Sequence, residues 1–447
     1  MDREVELFLK AYPAVTMVEA LITDCNGVAR GKWIPKTKLN TVTRSGLKLP
    51  KSALALDIWG RDVPELAFEN GDMDGYCMAV PGSLTPVLGP NGVNQAQLLM
   101  TMTDEEHAPF MGDPRQVLSG VIDRFRRMGL RPCVAVELEF SLLPDPGKEG
   151  LLSDTMASKH DVGGNLYALN ELDRVEPMLD ALRALFEVQG LPYEGIIKEA
   201  APSQFEINMA HSAKTMQVAD HIIKMQRGIR TIAKRFGLIA SFMPKPMDNV
   251  PGNGMHVHCS LLDKRNNNIF NDGTDAGSQH LRHAVGGALD MMADSMLVFA
   301  PSYNAYRRFQ PGNHAPTFPA WGMDNRTTAV RIPAGPHQAK RIEHRVAGAD
   351  ANPYLTLAVV LAGVLKGLDS QNEPPEPIAG NAYDQQPEGD TLPTLMGDAI
   401  DRFSSSEAIA NFLSPQFQRI YALTKRQELA EFGSRVTEFE LKTYLEI

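Results

Sequence analysis

Four short segments of this chain alternate apolar residues with charged or metal-binding ones, and a strand with that alternation must put all its charge on one face. In Val136-Glu137-Leu138-Glu139-Phe140 the two glutamates share one parity, while Leu138 and Phe140 take the other. Gln204-Phe205-Glu206-Ile207-Asn208 gathers its polar side chains in the same way, and Met255-His256-Val257-His258 aligns two imidazoles. Arg341-Ile342-Glu343-His344-Arg345 sets a glutamate between two arginines. One such strand alone reads as a solvated outer face over an apolar inner one. Four in one chain point to a charged cavity. Carboxylates gathered in one place do not all stay ionised unless cationic charge compensates them. Metal ions are the natural compensation, and glutamates with one histidine and no thiolate form a hard donor set that suits Mg²⁺ or Mn²⁺ better than Zn²⁺. Arginines on the adjoining strands suit phosphate and carboxylate, which a planar guanidinium binds bidentately.

The chain has 447 residues, 43% of them apolar, enough for one large domain and a smaller one, each with a core. Its 44 Lys and Arg against 54 Asp and Glu give a net charge of -10, spread without long like-charge blocks. That balance argues against a nucleic-acid or acidic-membrane partner. The four cysteines, Cys25, Cys77, Cys133 and Cys259, show no C-x-x-C spacing and read as reduced thiols. Met1-Asp2-Arg3-Glu4 opens no apolar signal core, and the apolar run Leu355 to Leu365 falls short of the ~20 residues that span a bilayer. The expected location is cytoplasmic.

Residues 1–110 carry short apolar runs such as Ala14 to Ile22 between turn signals at Asp24-Cys25-Asn26-Gly27 and Gly89-Pro90-Asn91-Gly92, which suits a small strand-rich module. A boundary is expected near His107 to Pro114, with 111–447 as the larger domain. A helical pattern starts at Asp113-Pro114-Arg115 and ends at Gly129, before a strand from Cys133 to Leu143. Met216 to Phe236 and Asp350 to Leu368 are apolar at helical spacing. Glu373 to Asp390 reads as a surface excursion, and the last fifty residues as helical.

Six segments in order resemble glutamine synthetase signatures: Glu137-Leu138-Glu139, E-A-A-P-S-Q-F-E from Glu199 to Glu206, G-N-G-M-H-V-H from Gly252 to His258, P-S-Y-N-A-Y-R-R from Pro301 to Arg308, N-R-T-T-A-V-R-I-P from Asn325 to Pro333, and R-I-E-H-R from Arg341 to Arg345. The resemblance runs from about residue 20 to the C-terminus. It implies an α+β fold with an N-terminal β-grasp domain and a large catalytic domain built on an antiparallel incomplete barrel flanked by helices. It further implies a homododecamer of two stacked hexameric rings with active sites between subunits. Carried over by position, Glu139, Glu199 and Glu206 hold one metal and Glu137, His256 and Glu343 the other. Gly252, Arg308 and Arg345 grip glutamate, and His258, Arg326, Arg331 and Arg341 attend ATP and its phosphates, Arg326 with a catalytic role.

The pattern departs where the family's glutamine-forming members handle ammonium. Pro311-Gly312-Asn313-His314-Ala315-Pro316 carries His314 where those members have a glutamate, on an expected closing loop from Gln310 to Ala315. Where they have Asp-Gly-Ser-Ser, this chain reads Ala55-Leu56-Asp57-Ile58-Trp59-Gly60, with Asp57 the remaining acid. A site that keeps its metal, glutamate and phosphate residues but loses an acid at the ammonium position is expected to activate glutamate and pass it to an organic primary amine. Such an amine arrives protonated, and a neutral His314 is placed by the pattern to take its proton near pH 7. The segment E-H-R-V-A-G-A-D-A-N-P-Y from Glu343 to Tyr354 is most similar to the γ-glutamyl-polyamine synthetase branch. The alternatives are a glutamine synthetase with an altered ammonium site and a non-catalytic homologue. Ser203 replaces the glycine of P-G-Q, and Pro251 an asparagine before Gly252. Trp59 and Tyr303 are candidate walls of an amine pocket or ordinary packing residues, and Tyr383, in Asn381-Ala382-Tyr383-Asp384, resembles a modified segment without carrying a prediction of regulation.

Overall fold

A computed structural model describes residues 1–67, 71–89, 92–146, 165–310, 315–385 and 391–447. Six strands form the first sheet: β1 (Met17–Thr23), β2 (Ala29–Pro35), β3 (Leu47–Pro50), β4 (Asp74–Ala79), β5 (Thr85–Gly89) and β6 (Gly92–Thr103). Their order is β2-β1-β6-β4-β3, with β5 added on β6. β1 runs parallel to β6, and the other pairs are antiparallel. The apolar run singled out in the sequence becomes β1, buried along almost its whole length. A short helix, Asp2–Ala11, precedes it and packs Val5 and Phe8 into the core. The sequence reading did not anticipate it.

The second sheet has eight strands: β7 (Arg131–Pro144), β8 (Tyr193–Lys198), β9 (Gln204–Met209), β10 (Leu238–Ser241), β11 (Met255–Leu262), β12 (Trp321–Met323), β13 (Val330–Ile332) and β14 (Ile342–His344). Their order, β12-β13-β14-β11-β7-β9-β8 with β10 on β7, leaves the curved sheet open. All pairs are antiparallel except β12 with β13, which is parallel, so the expected all-antiparallel barrel holds apart from this edge. All four signature strands lie in this sheet, β7, β9, β11 and β14.

Helices cover the sheet's apolar side. The expected helices appear as Pro114–Arg127, Thr215–Arg235 and Pro353–Ser370. Pro353–Ser370 is apolar enough in length and composition to attract a membrane reading, but most of it is buried inside the protein. It crosses the helix Gln279–Asp290 closely: a Cβ on Gly287 would lie 2.2 Å from the Gly363 carbonyl oxygen, so only glycine permits the approach. Asn352 caps Pro353–Ser370 by accepting from Tyr354 and Leu355 N–H, and its Nδ2 donates to the Asp24 carbonyl at 2.9 Å in the β1–β2 turn. One side chain thus starts a core helix and ties it to the first sheet. Cys25, Cys77 and Cys259 are buried, Cys133 is half-buried, and none is in a disulfide.

Candidate active site

Strand pairing builds the site. Register sets Glu137 opposite both His256 on β11 and Asn208 on β9, and Glu139 opposite Glu206. On the other flank, His258 faces Glu343 and Glu343 faces Arg331. The parity read from the sequence therefore projects these side chains to one side, while Leu138, Phe140, Ile207 and Val257 fill the core on the other.

The contacts are close. His256 Nδ1 lies 3.1 Å from Glu137 Oε2, and its Nε2 lies 3.9 Å from Glu139 Oε1. His258 Nε2 lies 3.0 Å from Glu137 Oε1, and Arg341 Nε donates to His258 Nδ1 at 3.2 Å. With Nδ1 accepting from Arg341, a neutral His258 carries its proton on Nε2 and donates it to Glu137. Glu343 is held between two guanidinium groups, Arg331 Nη1 at 2.8 Å and Arg345 Nη1. Burial works against its ionisation, yet Arg345, followed by His256, keeps its carboxyl below the usual range.

Glu206 and Glu199 behave in the opposite way. Burial raises the Glu206 carboxyl well above the ordinary value, and Glu137, Glu139 and Glu199 add repulsion. Burial, then Glu139, raises Glu199 too. These carboxylates are short of positive charge. Ligand atoms of Glu137, Glu206 and His256 lie within 4.8 Å of one another, as do those of Glu137, His258 and Glu343. The donor set and its excess negative charge fit divalent cations of the hard class. His258, assigned to the nucleotide by resemblance, also joins the second of these groups.

Behind the carboxylates, Gln204 acts as a buried junction. Its Oε1 accepts from Ala201 N–H at 2.9 Å, and its Nε2 donates to Glu139 Oε2, the Gly252 carbonyl and Asn253 Oδ1 at 3.0, 3.1 and 3.1 Å. Glu139 Oε2 also accepts from Gly254 N–H at 2.7 Å. Gly252 must be glycine, because a Cβ there would lie 2.0 Å from the Pro244 carbonyl oxygen and 2.9 Å from Arg308 Cγ. Arg308, 4% exposed, threads behind this loop and donates to the Val346 carbonyl at 3.1 Å. Gln204 and Asn253 escaped the sequence reading as site residues; their only signal was membership of the matched segments.

A cavity of about 840 Å³ opens onto Glu137, Asn208, His258, Ser260 and Arg341. Arg326 stands apart, exposed on the turn before β13, with Asp324 nearby. Asp57 is not free either. It accepts from Trp59 N–H and Arg61 N–H, from Arg61 Nε at 2.8 Å and from Gln427 Nε2 at 2.8 Å. His314 and most of the expected closing loop lie outside the described residues. Trp59 and Tyr303 meet on Phe432, with ring centroids 5.4 and 5.3 Å from it. Tyr383 lies within electrostatic reach of Arg345 and Arg308, a neighbour that the sequence reading did not foresee.

The family model described as "Glutamine synthetase, catalytic domain" matches residues 111–444. The chain is 38% identical to gamma-glutamylputrescine synthetase of Escherichia coli (strain K12) over 99% of its own length and 94% of that protein's. It is 30% identical to a glutamine synthetase of Pyrococcus abyssi over 96% of each chain, and 30% identical to gamma-glutamylethanolamide synthetase of Streptomyces coelicolor over 95% of this chain and 91% of that one. A solved GmaS/ADP complex superposes with a TM-score of 0.87 at 26% identity, covering 99% of both chains. The chain belongs to the glutamine synthetase family of carbon–nitrogen ligases.

Proposed function

We propose that this protein is an ATP-dependent ligase that joins the γ-carboxylate of glutamate to an organic primary amine through a γ-glutamyl phosphate, with a polyamine such as putrescine the first candidate and a simple monoamine the next. The observation that carries this reading is the state of Asp57. The acid that the sequence offers for ammonium has both oxygens engaged by Arg61, Gln427 and backbone N–H groups, while Glu137, Glu206, His256, His258 and Glu343 gather their ligand atoms in one place beside Arg331 and Arg345. A small cation needs unengaged negative charge beside it, whereas a larger amine draws part of its binding from its carbon skeleton. Similarity to enzymes named for organic amines supports the same reading.

In this scheme Arg308 and Arg345 hold the glutamate carboxylates beside Gly252, and the 840 Å³ cavity takes ATP against His258 and Arg341. Arg331 steadies Glu343 from the nucleotide side, and Arg326 swings in on the phosphates. Glu139, Glu199 and Glu206 hold one Mg²⁺ or Mn²⁺ ion and Glu137, His256 and Glu343 another; bound there, such ions supply neutralisation of phosphoryl charge. His314 takes the proton of the incoming ammonium group. A cytoplasmic ring-shaped homo-oligomer accompanies this reading.

The test is phosphate release with ATP, Mg²⁺ and glutamate, comparing ammonium with putrescine, longer polyamines and small monoamines. Stimulation by one amine class well above ammonium is expected. Preference for ammonium overturns the reading in favour of a glutamine synthetase, and silence with every nitrogen source overturns it in favour of a non-catalytic homologue.

A further inference from the structure

A second cavity, of about 590 Å³, lies where the β1–β2 turn, the Thr215–Arg235 helix and the Pro415–Gly433 helix meet, and it shares no lining residue with the 840 Å³ cavity. Its volume is that of a small-molecule site. Its walls hold cations of two kinds. Arg227 is paired with Glu19, and Lys425 with Glu428. Arg230 and Lys234, one turn apart on the same helix, have no carboxylate within ion-pair distance among the described residues.

Arg230 is held in a particular way. Its guanidinium lies over the Phe242 ring, 4.6 Å from the centroid. Burial alone lowers its pKa, with no acidic neighbour acting on it. A guanidinium steadied on an aromatic face keeps its N–H edges for an external planar anion. Phe432 and Met243 add apolar wall suited to a short carbon skeleton.

The same cavity touches the proposed glutamate grip from behind. Asp350, in its wall, accepts the Ser302 hydroxyl at 2.6 Å through Oδ2, and its buried Oδ1 has no hydrogen-bond partner. Asp350 lies within electrostatic reach of Arg308, after burial and Glu139 in its influence there. A ligand that shifts this wall changes the field on the arginine.

We propose that this cavity is an effector site for a small organic carboxylate of about four to six carbons, recognised by Arg230 and Lys234, whose occupancy changes the enzyme's affinity for glutamate. Binding here is independent of which amine the enzyme uses. Only the effect on glutamate affinity rests on the proposed ligase activity.

The Trp59 ring packs, tilted, against Phe432, which lines the cavity, so tryptophan emission reports occupancy. The full-length enzyme is titrated with succinate, citrate and, as an inorganic control, sulfate, and a double variant at Arg230 and Lys234 separates binding at this cavity from binding in the glutamate pocket. Saturable binding of succinate or citrate in the millimolar range is expected, with a change of about fivefold in KM for glutamate in the turnover assay. In the Arg230→Ala/Lys234→Ala double variant, whose altered residues lie outside the proposed catalytic site, basal turnover is unchanged and carboxylate affinity falls at least about tenfold. Absence of saturable binding, equal binding by the variant, or sulfate binding as tightly as the carboxylates overturns the site. Binding with no change in KM overturns the effector role alone, and the amine panel is read separately from both.

Discussion

Gln204 Nε2 donates to Glu139 Oε2 at 3.0 Å while its Oε1 accepts from Ala201 N–H at 2.9 Å, so one buried carboxamide joins a candidate metal ligand to the turn that carries another, Glu199. The same Nε2 holds the Gly252 carbonyl. A hydrogen bond to a charged group contributes about 1.5–3 kcal/mol, and stranding a buried partner costs a comparable amount. Gln204→Ala is therefore expected to lower kcat/KM for glutamate by about 10- to 100-fold and to raise the Mg²⁺ concentration needed for half-maximal rate. Steady-state kinetics over a Mg²⁺ series checks this, and unchanged metal dependence counts against the junction.

Glu206 is the most strained carboxylate of the cluster, buried and repelled by Glu137, Glu139 and Glu199. Replacing it with glutamine removes repulsion that only a cation otherwise relieves. Metal-free Glu206→Gln is expected to melt higher than the metal-free parent, by about 1–2 kcal/mol in stability. The variant is also expected to lose most of the rise in melting temperature that Mg²⁺ should give the parent. Melting in EDTA and in Mg²⁺ measures both without reference to turnover.

Asp350 has its carboxyl pushed up to about 6 by burial, partly opposed by Ser302, Lys425 and Arg308, from an ordinary value of 3.8. Because the folded pKa is the higher one, folding favours the protonated form. That contribution to stability is full below about pH 4 and is lost as pH rises through 6. The shift corresponds to at most roughly 3 kcal/mol. Asp350→Asn cannot ionise, so its stability relative to the parent should improve by about 2 kcal/mol between pH 4 and pH 7.5. Denaturant unfolding at the two pH values tests this, and a pH-independent difference between the proteins would falsify it.

Ser203 sits at φ +52 before Gln204, a left-handed conformation that costs a residue with a Cβ roughly 1–2 kcal/mol. Its place in the matched P-S-Q segment is the one a glycine would occupy without strain. Ser203→Gly is expected to raise stability by up to about 1 kcal/mol, since the glycine also gains freedom in the unfolded chain. Activity should be retained, because the serine side chain makes none of the contacts that hold Glu139 or Gly252. A lower melting temperature for the glycine variant would count against strain at this position.

The sequence by itself determined which residues could share a face. Strand alternation is a property of the covalent chain, so Glu137 with Glu139, His256 with His258 and Arg341 with Glu343 were legible from parity alone. The helices Thr215–Arg235 and Pro353–Ser370 were legible for the same reason, through their apolar period. Parity does not say which strand lies beside which. The register that sets Glu139 against Glu206 and His258 against Glu343 joins segments far apart in the chain, and it is chosen by the packing of both sheets at once. Asp57 shows the limit most clearly. Its neighbourhood in sequence offered an acid for a cationic substrate, and only the tertiary structure brought Gln427 from 370 residues away to occupy it. The meeting of Trp59 and Tyr303 on Phe432, and the junction at Gln204, were likewise decided by contacts that no local pattern encodes. Local periodicity fixes the direction of a side chain, while its partners depend on how distant segments are buried together.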